Sequence, residues 1–181
     1  MNKTSEQYDA VIIKCKTIFL NKNTDYGTSW RIMRISSIID QIYIKANRIR
    51  TIEDNGSMKV NEGIEPEFMG IINYCIMGLI QLELVEQKEL NLEINTLETF
   101  YNKYVLKTKT LMEEKNHDYG EVWRDMLVTT FTDMLLMRIQ RMKQILENRG
   151  NTINSEGIDS NLMDMINYSI FALIKLAPSS R

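Results

Sequence analysis

One histidine and two cysteines are all that 181 residues offer as soft metal ligands. Cys15, Cys75 and His117 have none of the spacings that build a zinc site, so a zinc centre is excluded. The cysteines read instead as reduced, core-type residues of a cytosolic protein. An excess of positive charge is also missing. With 22 Lys and Arg against 24 Asp and Glu, the net charge is −2, which leaves no overall basic footprint for nucleic acid. Alternating β-branched runs bounded by hairpin turns are nearly absent, which points to an all-α class. The longest apolar run, Ile158 to Ala177, is broken by Asp164, Asn167 and Lys175, and the polar start lacks a signal-peptide apolar region. Neither a membrane span nor export is expected, and the expected location is cytoplasmic.

What the chain does contain, it contains twice. Asp25-Tyr26-Gly27-Thr28-Ser29-Trp30-Arg31 returns as Asp118-Tyr119-Gly120-Glu121-Val122-Trp123-Arg124, and both tryptophans lie inside these segments. At the same spacing Asp40 pairs with Asp133, Lys45 with Arg138, Arg48 with Arg141, Tyr8 with Tyr101 and Lys14 with Lys107. After one extra residue, Glu62-Gly63-Ile64-Glu65 matches Glu156-Gly157-Ile158-Asp159, and Asn73-Tyr74 matches Asn167-Tyr168. The chain therefore divides into a first helical repeat, 1–90, and a second, 91–181. Each alone would be marginal, so a shared core is expected. Two copies of this length predict a pseudo-twofold bundle resembling a fused homodimer, not an open array.

Apolar spacing of three and four predicts a helix from Tyr8 to Leu20, its core face including Tyr8, Ile12, Cys15, Ile18 and Phe19. The stretch from Lys22 to Gly27 reads as a turn. A second helix is predicted from Thr28 through Trp30 and Met33 to about Ser36, a third from Ile38 to Ile52, and a fourth from Glu67 to about Glu86. The linker Gln87 to Thr96 is compatible with continued helix. In the second half the segments are Leu97–Glu114, Val122–Val128, Phe131–Leu146 and Leu162–Leu176. Asp118 and Glu121 have the form of a helix N-cap with its N3 carboxylate, and Asp25 can cap in the same way.

Function is sought in what both halves retain. Lys45 and Arg138 fall at the edge of an apolar helical arc, with Arg48 and Arg141 beside them. A cation there needs an anion. The partner is an internal carboxylate such as Glu67 or Asp164, water reached by snorkelling, or the phosphate of a ligand. Asp40, Asp133, Glu67 and Asp164 are the candidate catalytic carboxylates and Mg²⁺ ligands, since Mg²⁺ accepts one or two carboxylates together with substrate phosphates. Asn73, Tyr74, Asn167 and Tyr168 lie within apolar helices and need partners, either each other across the twofold or a ligand. Trp30 and Trp123 are either core anchors or stacking surfaces for a base.

With the duplicated Asp-Tyr-Gly-x-x-Trp-Arg segment, the Asp40-to-Arg48 helix and the Asn-Tyr helix, the sequence resembles the nucleotide modification associated domain 1 family across both halves. The resemblance implies a helical protein of bacteria or phages, tied to nucleotide or DNA-base modification by genomic association. More loosely, Asp164-x-x-Asn167-Tyr168 is similar to one acidic helix of MazG-type nucleotide pyrophosphohydrolases, whose second acidic helix has no counterpart here. The functional expectation is a nucleotide or other phosphorylated small molecule held between the halves. It extends to Mg²⁺-dependent release of pyrophosphate from a nucleoside triphosphate. A non-catalytic nucleotide binder and a purely structural helical module are the alternatives. A homo-oligomer is compatible with all three.

Overall fold

The computed structural model describes residues 3–57, 63–152 and 156–178. Each repeat begins with its longest helix, α1 (Lys3–Tyr26) and α4 (Ile94–Tyr119). One stripe of each is buried: Tyr8, Ile12, Cys15 and Phe19 in α1, and Leu97, Tyr101, Tyr104, Thr108 and Met112 in α4. Ile18, expected on that face, is exposed. Both helices run beyond their predicted ends, because Asn, Thr and Asp are weak helix formers without being breakers. The stop comes at glycine. Gly27 adopts φ +59° and donates its N–H to the Asn23 carbonyl at 2.8 Å, a left-handed helix cap. Gly120 takes φ +67° at the corresponding place. Asp25 and Asp118 thus close helices, and do not cap the start of the next as expected.

The predicted second helix is only a 3₁₀ turn, Ser29–Ile32 in the first repeat and Val122–Arg124 in the second. The turn drops Trp30 and Trp123 into the core immediately after the glycine, and the chain then restarts as α2 (Ile35–Asn55) and α5 (Val128–Glu147). Pro66 sits in the first turn of α3 (Glu65–Glu83), where a missing N–H is harmless. The last helix is α6 (Ile158–Leu176). Residues 87–93 are not helical, contrary to the compatibility noted for the linker. Their carbonyls are taken by side chains of the first repeat instead, as described below.

α3 and α6 are buried on nearly every side and lie against each other at the centre, as an all-round apolar helix must. Gly78 allows the close approach, since a Cβ there would stand 3.0 Å from Leu162. α2 packs on α5, and α1 and α4 each cross both central helices. Each of these helix–helix packings thus has a counterpart under exchange of the repeats. The result is an all-α pseudo-twofold bundle of two tandem repeats around one apolar cluster. Among the described residues there is no strand, and no helix is long and apolar enough to cross a membrane.

Candidate functional site

The repeated cations at the edges of α2 and α5 meet carboxylates of the neighbouring helix. In the first repeat Glu67 takes Arg48 at 2.7 Å and Lys45 at 3.4 Å, with Lys45 also 6.0 Å from the Tyr74 ring centroid. In the second, Arg138 lies 2.7 Å from Asp164, 3.0 Å from Asn161 Oδ1, 3.3 Å from the Tyr168 hydroxyl and 3.8 Å from Glu156. Lys115 adds a second cation 2.6 Å from the other Asp164 oxygen. The Arg138 approach is an ion pair without good hydrogen-bond direction, so one Asp164 oxygen and Arg138 Nε lack hydrogen-bond partners. The exchange between repeats is compensated. Glu67 and Gly70 correspond to Asn161 and Asp164, so one carboxylate is kept and moved by one helical turn. The stem of Lys45 fills the space over Gly70 that a side chain would need. Arg141, without a Glu67 equivalent, is exposed and forms no ion pair among the described residues. Glu62 lies outside the described residues.

Asp40 and Asp133 stand apart from these clusters in their pairing. They cross the α2–α5 seam symmetrically, Asp40 to Lys143 at 3.1 Å and Asp133 to Arg50 at 2.5 Å. Among the described residues no three His, Cys, Asp or Glu side chains gather at one point. All four proposed Mg²⁺ carboxylates are held by cations, so this donor set fits a resident metal poorly.

The two asparagines do not pair with each other. Asn73 donates to the Cys15 carbonyl at 3.0 Å and accepts from Tyr101 at 3.0 Å. Asn167 donates to the Thr108 carbonyl at 3.2 Å and accepts from Tyr8 at 3.2 Å. Each asparagine therefore binds its own repeat's first helix through the amide and the other repeat's tyrosine through the carbonyl. Burial holds both phenols far above the ordinary tyrosine range, keeping them neutral donors. Burial likewise pushes the Cys15 thiol up to about 12, with Lys14 opposing, so it is unreactive. Trp30 and Trp123 are also inside. Trp123 stacks on Phe171 at 4.3 Å with 7° between planes, and the Arg124 guanidinium lies 4.3 Å from its centroid. These four residues are engaged in internal packing and bonding.

The motif arginines act as clasps. Arg31, 5% exposed, donates to Gln81 and to the carbonyls of Leu84, Gln87 and Glu89, and burial pulls its pKa below the ordinary value. Thr28 completes the grip, donating to the Leu90 carbonyl at 2.5 Å and accepting from Leu92 N–H at 3.0 Å. Arg124 instead reaches Thr4 at 2.5 Å and Gln7 at 2.9 Å, with Glu121 beside it at 2.6 Å. Gln81 and Lys175, equivalent positions, close the back of each motif by donating to the carbonyls of Arg31 and Arg124. Each repeat's motif therefore holds the stretch at or leading into the other repeat's first helix.

Open space lies elsewhere, and two of the cavities are related by the pseudo-twofold. The first, about 320 Å³, is lined by Lys14, Glu65, Val11, Met69, Leu173 and Leu176. The second, about 420 Å³, is lined by Lys107, Asp159, Tyr104, Leu79, Leu82 and Glu83. Lys14 and Lys107 are equivalent, as are Glu65 and Asp159, Val11 and Tyr104, Leu173 and Leu79, and Leu176 and Leu82. Neither lysine, and neither first-turn carboxylate, forms an ion pair among the described residues. The second cavity differs by Glu83, whose pKa hydrogen bonds from Lys103 at 2.6 Å and Tyr104 at 2.5 Å hold below the ordinary glutamate range. Sequence reasoning drew attention to the retained acidic pair Glu65/Asp159 but not to the lysines or leucines beside it, although the retained Lys14/Lys107 pair was an available signal. Lone exposed charges carry no helical-arc anomaly of the kind that drew attention to Lys45.

The sequence profile described as Nucleotide modification associated domain 1 matches the chain twice, over residues 22–82 and 115–176. A search of curated proteins and a search of solved structures gave no match.

Proposed function

The chain belongs to the nucleotide modification associated domain 1 family, and from that premise we propose that it binds a nucleotide in the two related cavities. The observation that carries this reading is the recurrence of a cavity of small-molecule size with an uncommitted lysine and an uncommitted carboxylate at matching positions. Lys14 and Lys107 supply the positive charge for a phosphate. Glu65 and Asp159 accept hydrogen bonds from sugar hydroxyls or base amines. The leucines, with Met69 or Tyr104, cover the apolar face of the base. The cations first expected to hold phosphate, Lys45 and Arg138, are largely answered by Glu67 and Asp164. That moves the reading away from the helical seams.

Mg²⁺ enters this proposal only as an ion carried in on ligand phosphates, where it keeps several waters and needs few protein ligands. No catalytic step is routed through it. Pyrophosphate release from a nucleoside triphosphate remains the finer form of the proposal, and an assay for it accompanies the binding test. Thermal-shift measurement across nucleotides, with and without Mg²⁺, is that test. A ligand at 100 times its Kd adds about 2.7 kcal/mol of apparent stability, and Lys14→Ala with Lys107→Ala should abolish the shift. A shift that survives both substitutions would place the ligand elsewhere.

A second reading, a structural helical module without a small ligand, is favoured by one observation. The crossed Asn73–Tyr101 and Asn167–Tyr8 pairs commit retained polar groups to internal bonds. The absence of a shift with every nucleotide would select it.

A further inference from the structure

The duplicated motif has internal reasons for most of its retained residues. Gly27 and Gly120 take positive φ, Trp30 and Trp123 fill the core, Arg31 clasps the stretch leading into the second repeat, and Arg124 clasps the first helix of the first repeat. Asp25-Tyr26 and Asp118-Tyr119 have none. Tyr26 is 70% exposed and Tyr119 72%, and both aspartates are exposed as well. Among the described residues the side chains of Asp25, Tyr26 and Tyr119 form no hydrogen bond or ion pair, and that of Asp118 meets only its exposed neighbour His117 at 3.1 Å.

Their position is also unfavourable. Each aspartate sits in the last turn of a long helix, where the backbone carbonyls already concentrate negative charge. No basic residue offsets this in α1, and α4 has only His117 there. A carboxylate kept twice at the destabilising end of a helix, with at most an exposed histidine beside it, matches the pattern of residues held for function at the expense of stability. The chemistry of the turn is uniform: a carboxylate, the free carbonyls of a helix end and an open aromatic ring all attract cations. A guanidinium satisfies the carboxylate in a forked geometry and stacks on the ring, which an ammonium does less well.

We propose that the two Asp-Tyr-Gly turns are docking points for arginine side chains of a basic segment on a partner protein. Charge complementarity selects this occupant, and the proposal does not depend on the nucleotide cavities.

The test is fluorescence anisotropy at low salt, using the full chain and a labelled short arginine-glycine peptide, with a glutamate-glycine peptide of equal length as control. The arginine peptide should bind and the glutamate peptide should not. Asp25→Asn with Asp118→Asn, and separately Tyr26→Ala with Tyr119→Ala, should weaken binding about tenfold. Glu147→Gln, which removes one charge near another helix C-terminus without a Tyr-Gly turn, should keep wild-type affinity. The Tm of the double aspartate variant should equal or exceed that of the wild type, because its helix ends lose a repulsion. Equal binding of the two peptides, or an equal loss in Glu147→Gln, would overturn the proposal. A fall in Tm in the aspartate variant would reveal an internal structural role and overturn it too. Light scattering supplies the last arm: a drop in mass in the aspartate variant would identify a second copy of this chain as the occupant, against the proposal.

Discussion

Replacing Asp164 by Asn removes one charge with almost no change of volume, at a site where burial makes the charge matter. Asp164 is 2% exposed and lies between Lys115 at 2.6 Å and Arg138 at 2.7 Å. Removing one partner of a buried ion pair costs about 3–5 kcal/mol, because the other charge is left uncompensated. Two features reduce that here. Lys115 is nearly half exposed and can turn to water, and Arg138 keeps Asn161, Tyr168 and Glu156. The expected loss is therefore about 2–4 kcal/mol. The corresponding change in the first repeat, Glu67→Gln, frees Arg48 and Lys45, each about a quarter exposed, so it should cost only about 1 kcal/mol. Urea unfolding at neutral pH measures both, and a lower midpoint at unchanged slope isolates the stability change. Equal losses in the two variants would refute the idea that the carboxylate displaced by one turn became the buried, structural member. So would an Asp164→Asn protein within about 0.5 kcal/mol of wild type.

Tyr8→Phe and Tyr101→Phe should each lower stability by about 1–2 kcal/mol, since each leaves a buried asparagine carbonyl oxygen without its donor; chemical denaturation should find the two losses similar. Arg31→Ala should release the stretch after α3, seen in limited trypsin digestion as faster cleavage after Lys88, while cleavage near α1 is unchanged. Because the folded-state pKa of Glu83 is depressed, its stabilisation is fully present above the unfolded value, about 4.3, and is lost as pH falls through the folded value. Glu83→Gln should therefore be less stable than wild type at neutral pH, with the difference shrinking below about pH 4 in acid-unfolding curves.

The helices were legible because their cause is local. The stripes Tyr8-Ile12-Cys15-Phe19 and Phe68-Ile71-Ile72-Cys75 report burial directly in the order of residues. Helix ends were less so: whether Asp25 opens or closes a helix depends on the torsion adopted by Gly27, and only the folded chain displays that. The duplication revealed which polar residues matter but not to whom they bond. Asn73 and Asn167 were rightly marked as needing partners, yet their partners lie in α1 and α4, a pairing fixed by how the repeats cross. Lys45 and Arg138 drew attention for lying on a greasy edge, and the same edge places them beside acids. Lys14 and Lys107 lie on ordinary solvated faces, so nothing short of the assembled bundle shows the hollows next to them.

A crystal structure of the chain grown with a saturating nucleotide would speak most directly to the ligand sites. Phosphate density beside Lys14 and Lys107, with the base against Leu173 or Leu79, is the expected result. Density seated instead against Lys45 and Arg48, or hollows that stay empty while nucleotide is bound elsewhere, would contradict it.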